Sequence, residues 1–163
     1  MPDTAFTIAF VGGGNMAAAL IAGLRRAGHS GDRIAVVEPV EVRRDHLIAQ
    51  YGVRAQADAE GLQADLIVLA VKPQQMQAAL TTLRPAPGTT VLSIAAGVPV
   101  AAMAAALPDC EVIRSMPNTP ALVGAGISAL YATPDTGAAA RTRTPWAMAA
   151  SVGRAMSVPL WPS

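Results

Sequence analysis

The chain has 163 residues, 52% of them hydrophobic, 14% charged and 4% aromatic, with a formal net charge of +1. That length sets a single domain as the expectation, and that composition can build a core and excludes a disordered chain. The near-neutral charge gives no footing to nucleic acid or to an acidic partner, and so few aromatic residues make poor platforms for base stacking. Cys110 is the only cysteine, so there is no intrachain disulfide framework and no cysteine metal cluster, and its expected role is that of a small apolar filler. Met1-Pro2-Asp3-Thr4 lacks the basic-then-apolar opening of a secretory signal, and no uncharged apolar run reaches the length of a membrane span. The expectation is a cytoplasmic protein that meets neither membrane nor nucleic acid.

In chain order, Thr7–Val11 reads as a buried strand that runs into Gly12-Gly13-Gly14 and then into a helix over Asn15–Arg26. Gly12, Gly14 and Ala17 have the G-x-G-x-x-G/A spacing of a dinucleotide-binding turn, in the strand-turn-helix context that motif requires. Gly12 permits the sharp turn, Gly14 lets a pyrophosphate approach the backbone, and Ala17 lets helix and strand pack closely. The unpaired amides at the helix start, with the positive end of its dipole, suit phosphates. Leu20, Ile21 and Leu24 share the buried helix face, and Gly28 is a left-handed stop.

Ile34–Val37 is an uninterrupted apolar run, as in a strand buried on both faces. Glu38 ends it, about twenty residues beyond the glycine turn, where an acid accepts the ribose hydroxyls of NAD. Arg43 and Arg44 open the next helix, Glu41 to Tyr51, and could instead pair the 2′-phosphate of NADP. An acid at 38 repels that phosphate, so it favours NAD, while a solvated helix face accounts for the arginines equally well. Val53–Ala55 reads as a short strand, Ala57–Leu62 as a short helical turn, and Leu66–Val71 as the next buried strand. It ends in Lys72-Pro73, with proline at a helix start and the chain's one lysine at the carboxyl end of a central strand. A helix follows through Met76, Ala79, Leu80 and Leu83.

Thr90–Ile94 is the next strand, and small Ala95, Ala96 and Gly97 leave ligand space at its carboxyl end. Val100–Leu107 reads as a helix, Glu111–Met116 as a strand, Pro117-Asn118-Thr119-Pro120 as a stiffened loop and Ile127–Tyr131 as a last strand. Asn118 carries both donor and acceptor, and can bind a carboxamide or cap the next segment. His29 and His46 belong to no ligand cluster and read as structural; Asp65 reads as a turn or edge residue before its strand. No Ser-His-Asp arrangement, paired carboxylates or metal set is visible. The alternation predicts an α/β fold: a doubly wound, Rossmann-like, mostly parallel sheet with helices on both faces.

Four stretches, Phe10–Met16, Ala70–Gln74, Ser93–Val98 and Arg114–Ala121, come in one order and together resemble pyrroline-5-carboxylate reductase over about residues 6 to 132. The resemblance implies hydride transfer from NADPH or NADH to the C=N bond of 1-pyrroline-5-carboxylate, giving proline. It implies that Gly12, Gly14, Asn15 and Met16 line the pyrophosphate and nearby ribose. Val71, Lys72 and Pro73, with Ala95, Ala96 and Gly97, would line the cofactor toward the nicotinamide, and Asn118 matches the loop closing that end. No residue stands out as a required general acid, and an imine can arrive already protonated. An asparagine that the family often places before the lysine falls here near Ala57 and Asp58, which leaves the choice of NAD or NADP open.

Members of that family continue into a helical domain that forms the dimer and supplies a glycine-serine substrate loop; no such loop follows Tyr131 here. The expected organisation is a dinucleotide-binding domain over 1–152, with a last helix over Gly137–Val152 or a shorter one capped by Thr144. An irregular tail over 153–163 follows. On that reading the chain is the cofactor half of the enzyme, homo-oligomeric by family. A nucleotide-binding module without catalysis is the alternative. A hydroxyacid dehydrogenase is a poorer fit because of the Met116–Pro120 loop, and an interaction protein predicts no dinucleotide binding at all.

Overall fold

The computed structural model describes residues 5–117, 126–132, 135–141, 143–144 and 153–157. The chain begins with β1, Ile8–Val11, and α1, Asn15–Arg26, followed by β2, Ile34–Val37, α2, Glu41–Tyr51, and β3, Arg54–Gln56. Next come β4, Leu66–Leu69, α3, Met76–Thr82, β5, Thr90–Ser93, and α4, Val100–Ala106. The described elements end with β6, Glu111–Pro117, β7, Gly126–Ala132, and β8, Gly153–Ser157.

Among the described residues, eight strands join one sheet in the order β3-β2-β1-β4-β5-β6-β7-β8. From β3 to β6 every pairing is parallel, with Ile8 opposite Ile34 on one side and Leu66 on the other. This is the doubly wound order 3-2-1-4-5-6, and the expected fold class stands. β7 turns antiparallel to β6, and β8 runs parallel to β7.

Alternation along the strands builds two cores. Ile8, Phe10, Ile34, Val36, Leu66 and Val68 face α1 and Leu47 of α2. Ala9, Val11, Ala35, Val37, Ile67 and Leu69 face the other way, against Met76 and Leu80 of α3 and Met103 of α4. Both faces are covered, which is why these strands read as unbroken apolar runs. α1 lays Ala17, Leu20, Ile21 and Leu24 on the sheet and ends where Gly28, at φ +93°, turns left-handed. There the amide of His29 bonds the carbonyl of Leu24 in a Schellman-type stop.

Two expectations change. Residues 57–62 form no helix: Asp58 accepts the amide of Glu60, Gly61 takes φ +67°, and the Leu62 amide closes a turn on Ala59. Asp at that place satisfies the backbone locally and so competes with a helical turn. The tail beginning at 153 is not irregular at its start, because Gly153–Ser157 pair with β7 from Gly126 to Leu130. A parallel partner needs a crossover; residues 138–141 and 143–144, inside the expected last helix, are helical. The free edge of β7 carries backbone groups that need partners, and β8 supplies them. Residues 158–163, with Trp161, lie outside the described residues. Among the described residues no helix is long and apolar enough to cross a membrane.

Candidate functional site

The order reverses between β1 and β4, and their carboxyl ends define the crevice where such sheets take ligands. The glycine turn sits there. Gly12 has φ +103°, and its amide continues the ladder to the carbonyl of Val37 at 2.9 Å. A Cβ at Gly12 would meet the carbonyl oxygen of Ala70 at 2.7 Å and Cγ1 of Val71 at 3.2 Å. The turn after β1 and the end of β4 are therefore in van der Waals contact, and Val71 lies beside the turn.

Gly13 is fixed differently. Its amide donates to Oε2 of Glu38 at 3.0 Å, and a Cβ there would lie 2.9 Å from Cδ1 of Leu47 and 3.0 Å from Cβ of Glu38. Gly14 has neither constraint: its φ is −75°, and nothing lies within 4 Å of where a Cβ would stand. It is the N-cap of α1, with no side-chain cap and no acid in the first turn. The first intrahelical bond runs from the Ala18 amide to the Gly14 carbonyl, so the amides just before Ala18 have no acceptor within the helix. Asn15 is exposed and Met16 half-buried beside them. This is a bare, electropositive helix end aimed out of the sheet, which fits an anionic diphosphate.

Glu38 is 4% exposed. Its second oxygen, Oε1, accepts the amide of Val40 at 3.0 Å, so each carboxylate oxygen already holds one backbone amide. Arg44 donates to the carbonyls of Glu38 and Pro39, both at 2.8 Å, while Arg43 is exposed. The sequence did not signal that Glu38 and Arg44 brace the backbone. The one available hint was the third glycine: the motif leaves position 13 free, and the buried Glu38–Leu47 contact explains why it too is glycine.

Along the other wall, the amide of Ile94 bonds the carbonyl of Leu69 at 3.2 Å, and the amide of Ala95 bonds Oγ of Ser93 at 3.3 Å. Ala95 is buried, whereas Ala96 and Gly97 are exposed at the carboxyl end of β5, where Gly97 takes φ +74°. Lys72 is exposed beyond β4. Its amide bonds Oε1 of Gln75 and its carbonyl takes the Gln75 amide, while Pro73 opens the short 3-10 turn that leads into α3. The structure thus gathers Gly12, Gly14, Asn15, Met16, Glu38, Val71, Lys72, Pro73, Ala95, Ala96 and Gly97 at the carboxyl ends of β1, β2, β4 and β5. Asn118 lies outside the described residues. A cavity of about 370 Å³ opens instead near the amino ends of β1, β4 and β5, between Thr7, Asp65, Thr89 and Arg143. Thr7 and Arg143 already engage the carboxylate there.

A doubly wound sheet with a glycine turn at its switch point defines a nucleotide-binding α/β class. Residues 7–97 match the family described as NADP oxidoreductase, coenzyme F420-dependent, and the chain belongs to that family. It is similar to a pyrroline-5-carboxylate reductase of Pseudomonas aeruginosa, 40% identical over 137 residues, which are 81% of this chain and 50% of the relative. With the enzyme of the same name from a Synechocystis species it shares 38% identity over 160 residues, 93% of this chain and 58% of the relative. The solved pyrroline-5-carboxylate reductase of Coxiella burnetii has the same fold, with a TM-score of 0.87 at 32% identity, over 95% of this chain and 59% of that one. The chain spans about half the length of the curated relatives it matches.

Proposed function

We propose that this chain is the dinucleotide-binding part of a pyrroline-5-carboxylate reductase, and that NADPH or NADH lies across the carboxyl ends of β1 and β4. The observation that carries the reading is Gly14. Neither its dihedral angles nor any neighbour excludes a side chain there, and with none the backbone stays open to close approach, at a helix end suited to phosphate. The residues fit the group. The amides of Gly14, Asn15 and Met16 hold the pyrophosphate, and Glu38 stands at the ribose end. Val71, Lys72 and Pro73, with Ala95, Ala96 and Gly97, border the nicotinamide end, and Asn118 belongs to the loop closing it.

When bound, the reduced nicotinamide supplies the hydride that reduces the C=N carbon of 1-pyrroline-5-carboxylate to give L-proline. The chain's own share is positioning and electrostatics, since a cofactor enzyme leaves the hard chemistry to its cofactor. No side chain is assigned as an acid, because the imine can enter protonated. Homo-oligomeric association and a cytoplasmic setting belong to the same proposal.

Fluorescence titration with NADH and NADPH, followed by their oxidation in the presence of 1-pyrroline-5-carboxylate, tests it. Saturable stoichiometric binding is expected, and turnover beside it would show that this chain alone completes the substrate site. Binding without turnover limits the chain to a dinucleotide-binding module, and no binding removes the reading altogether.

A further inference from the structure

We infer that Glu38 is a positioning residue for the whole dinucleotide, holding the glycine turn in shape for the pyrophosphate, and is not chiefly the acceptor that chooses NAD over NADP. This rests on the proposed dinucleotide site.

Three observations converge. The Gly13 amide donates to Oε2 of Glu38 at 3.0 Å across 25 residues of sequence, in a buried bond. Gly13 has room for no side chain, because Glu38 and Leu47 occupy the place of its Cβ. Glu38 in turn is held from three sides: Val40 donates to Oε1, Arg44 donates to its carbonyl, and its own amide donates to the carbonyl of Gln56 on β3. A charged acceptor fixed this firmly orients the Gly13 peptide. That peptide leads directly into Gly14 and the open amides of α1. A charge-assisted bond in a buried place is among the stronger hydrogen bonds available to a backbone. Removing it lets the turn relax and spoils the convergence of amides on the phosphates, a part shared by NADH and NADPH.

The two roles make opposite predictions. A ribose acceptor acts on the one hydroxyl that distinguishes the coenzymes, so its loss costs NADH and relieves NADPH. A positioning residue acts on the common diphosphate, so its loss costs both alike.

The experiment measures Kd for NADH and for NADPH on the full chain, for the wild type, Glu38→Ala and the isosteric Glu38→Gln, with the Gly13 amide followed by NMR and hydrogen exchange. Glu38→Ala should raise both Kd values about tenfold or more, leave their ratio within about twofold, and remove the protection of the Gly13 amide. Glu38→Gln can satisfy only one of the two amides and should fall between, again without changing the ratio. It also serves if the alanine variant fails to fold. A selective loss of NADH with unchanged or improved NADPH binding overturns the inference, as does unchanged affinity for both. A wild-type chain that binds neither dinucleotide overturns the reading of the site, and this inference with it.

Discussion

The position a Cβ would take at Gly12 lies 2.7 Å from the carbonyl oxygen of Ala70. Backbone on one strand end thus excludes any side chain on the turn opposite, and φ of +103° at Gly12 adds a conformation that L residues rarely adopt. Gly12→Ala should therefore destabilise the fold by about 3 kcal/mol, the sum of left-handed strain and overpacking. Urea unfolding checks this. A loss of less than about 1 kcal/mol would show that the turn and β4 can move apart.

Gly14 predicts the reverse pattern. With open space around it and an ordinary φ, Gly14→Ala should change stability by only about 0.5 kcal/mol, the scale of an N-cap exchange. Its methyl group would stand where the diphosphate approaches, so affinity for NADH and NADPH should fall roughly tenfold, about 1.4 kcal/mol. Calorimetry beside thermal unfolding separates the two effects. Unaltered affinity would remove Gly14 from the site.

The two glycines show how far the sequence could be read. The turn, the strands on either side and the switch point were legible because their signals are local: apolar runs, glycine spacing and a proline after Lys72. The contact of Glu38 with Gly13 was not, because it joins residues 25 positions apart through the pairing of β1 with β2. The bond that ties Arg44 to the carbonyls of Glu38 and Pro39 was equally hidden, since an arginine on a helix start looks the same whether it faces phosphate or backbone. β8 was missed for a third reason. Gly-Arg-Ala-Met-Ser has little strand propensity of its own, and its pairing follows from the edge that β7 offers.

His29 is fully buried, with its ring against that of Phe6 at a centroid distance of 5.4 Å. Burial lowers its pKa below the ordinary 6.5, and the charges of Arg33 and Arg25 lower it further. The unfolded chain therefore takes up a proton in a range where the folded chain does not. The stability that His29 contributes is fully present above about pH 6.5 and declines as pH falls below it. Urea midpoints of the wild type and His29→Gln should thus converge between pH 7.5 and 5.5. A constant difference across that range would count against the burial of a neutral ring.

Asp65 ties the start of β4 to the start of β1. Its Oδ2 accepts both the amide of Thr7, at 2.8 Å, and the hydroxyl, at 2.9 Å, while its own amide donates to that hydroxyl at 3.1 Å. The Thr7 amide, then the Thr7 hydroxyl and Arg143, hold its carboxyl below the usual 3.8 against some desolvation. The sign is the acid's: the contribution is present above pH 3.8 and is lost as pH falls through the folded value. Asp65→Ala should cost about 1 kcal/mol at neutral pH, since the site is half open to water, and the difference should shrink below pH 4. A loss that persists unchanged at pH 3 would assign it to packing instead.

The placement of β1 at the centre of the parallel run also sets a schedule for synthesis. Ile8–Val11 is synthesised before both of its neighbours in the sheet, and one of them, Leu66–Leu69, begins 58 residues after Ile8. At ordinary translation speeds that interval is about 3–12 s. Until it has passed, a strand buried along its whole length lacks at least one of its two partners, with its apolar surface available to nascent-chain chaperones, and this part of the sheet can close only after β4 has emerged.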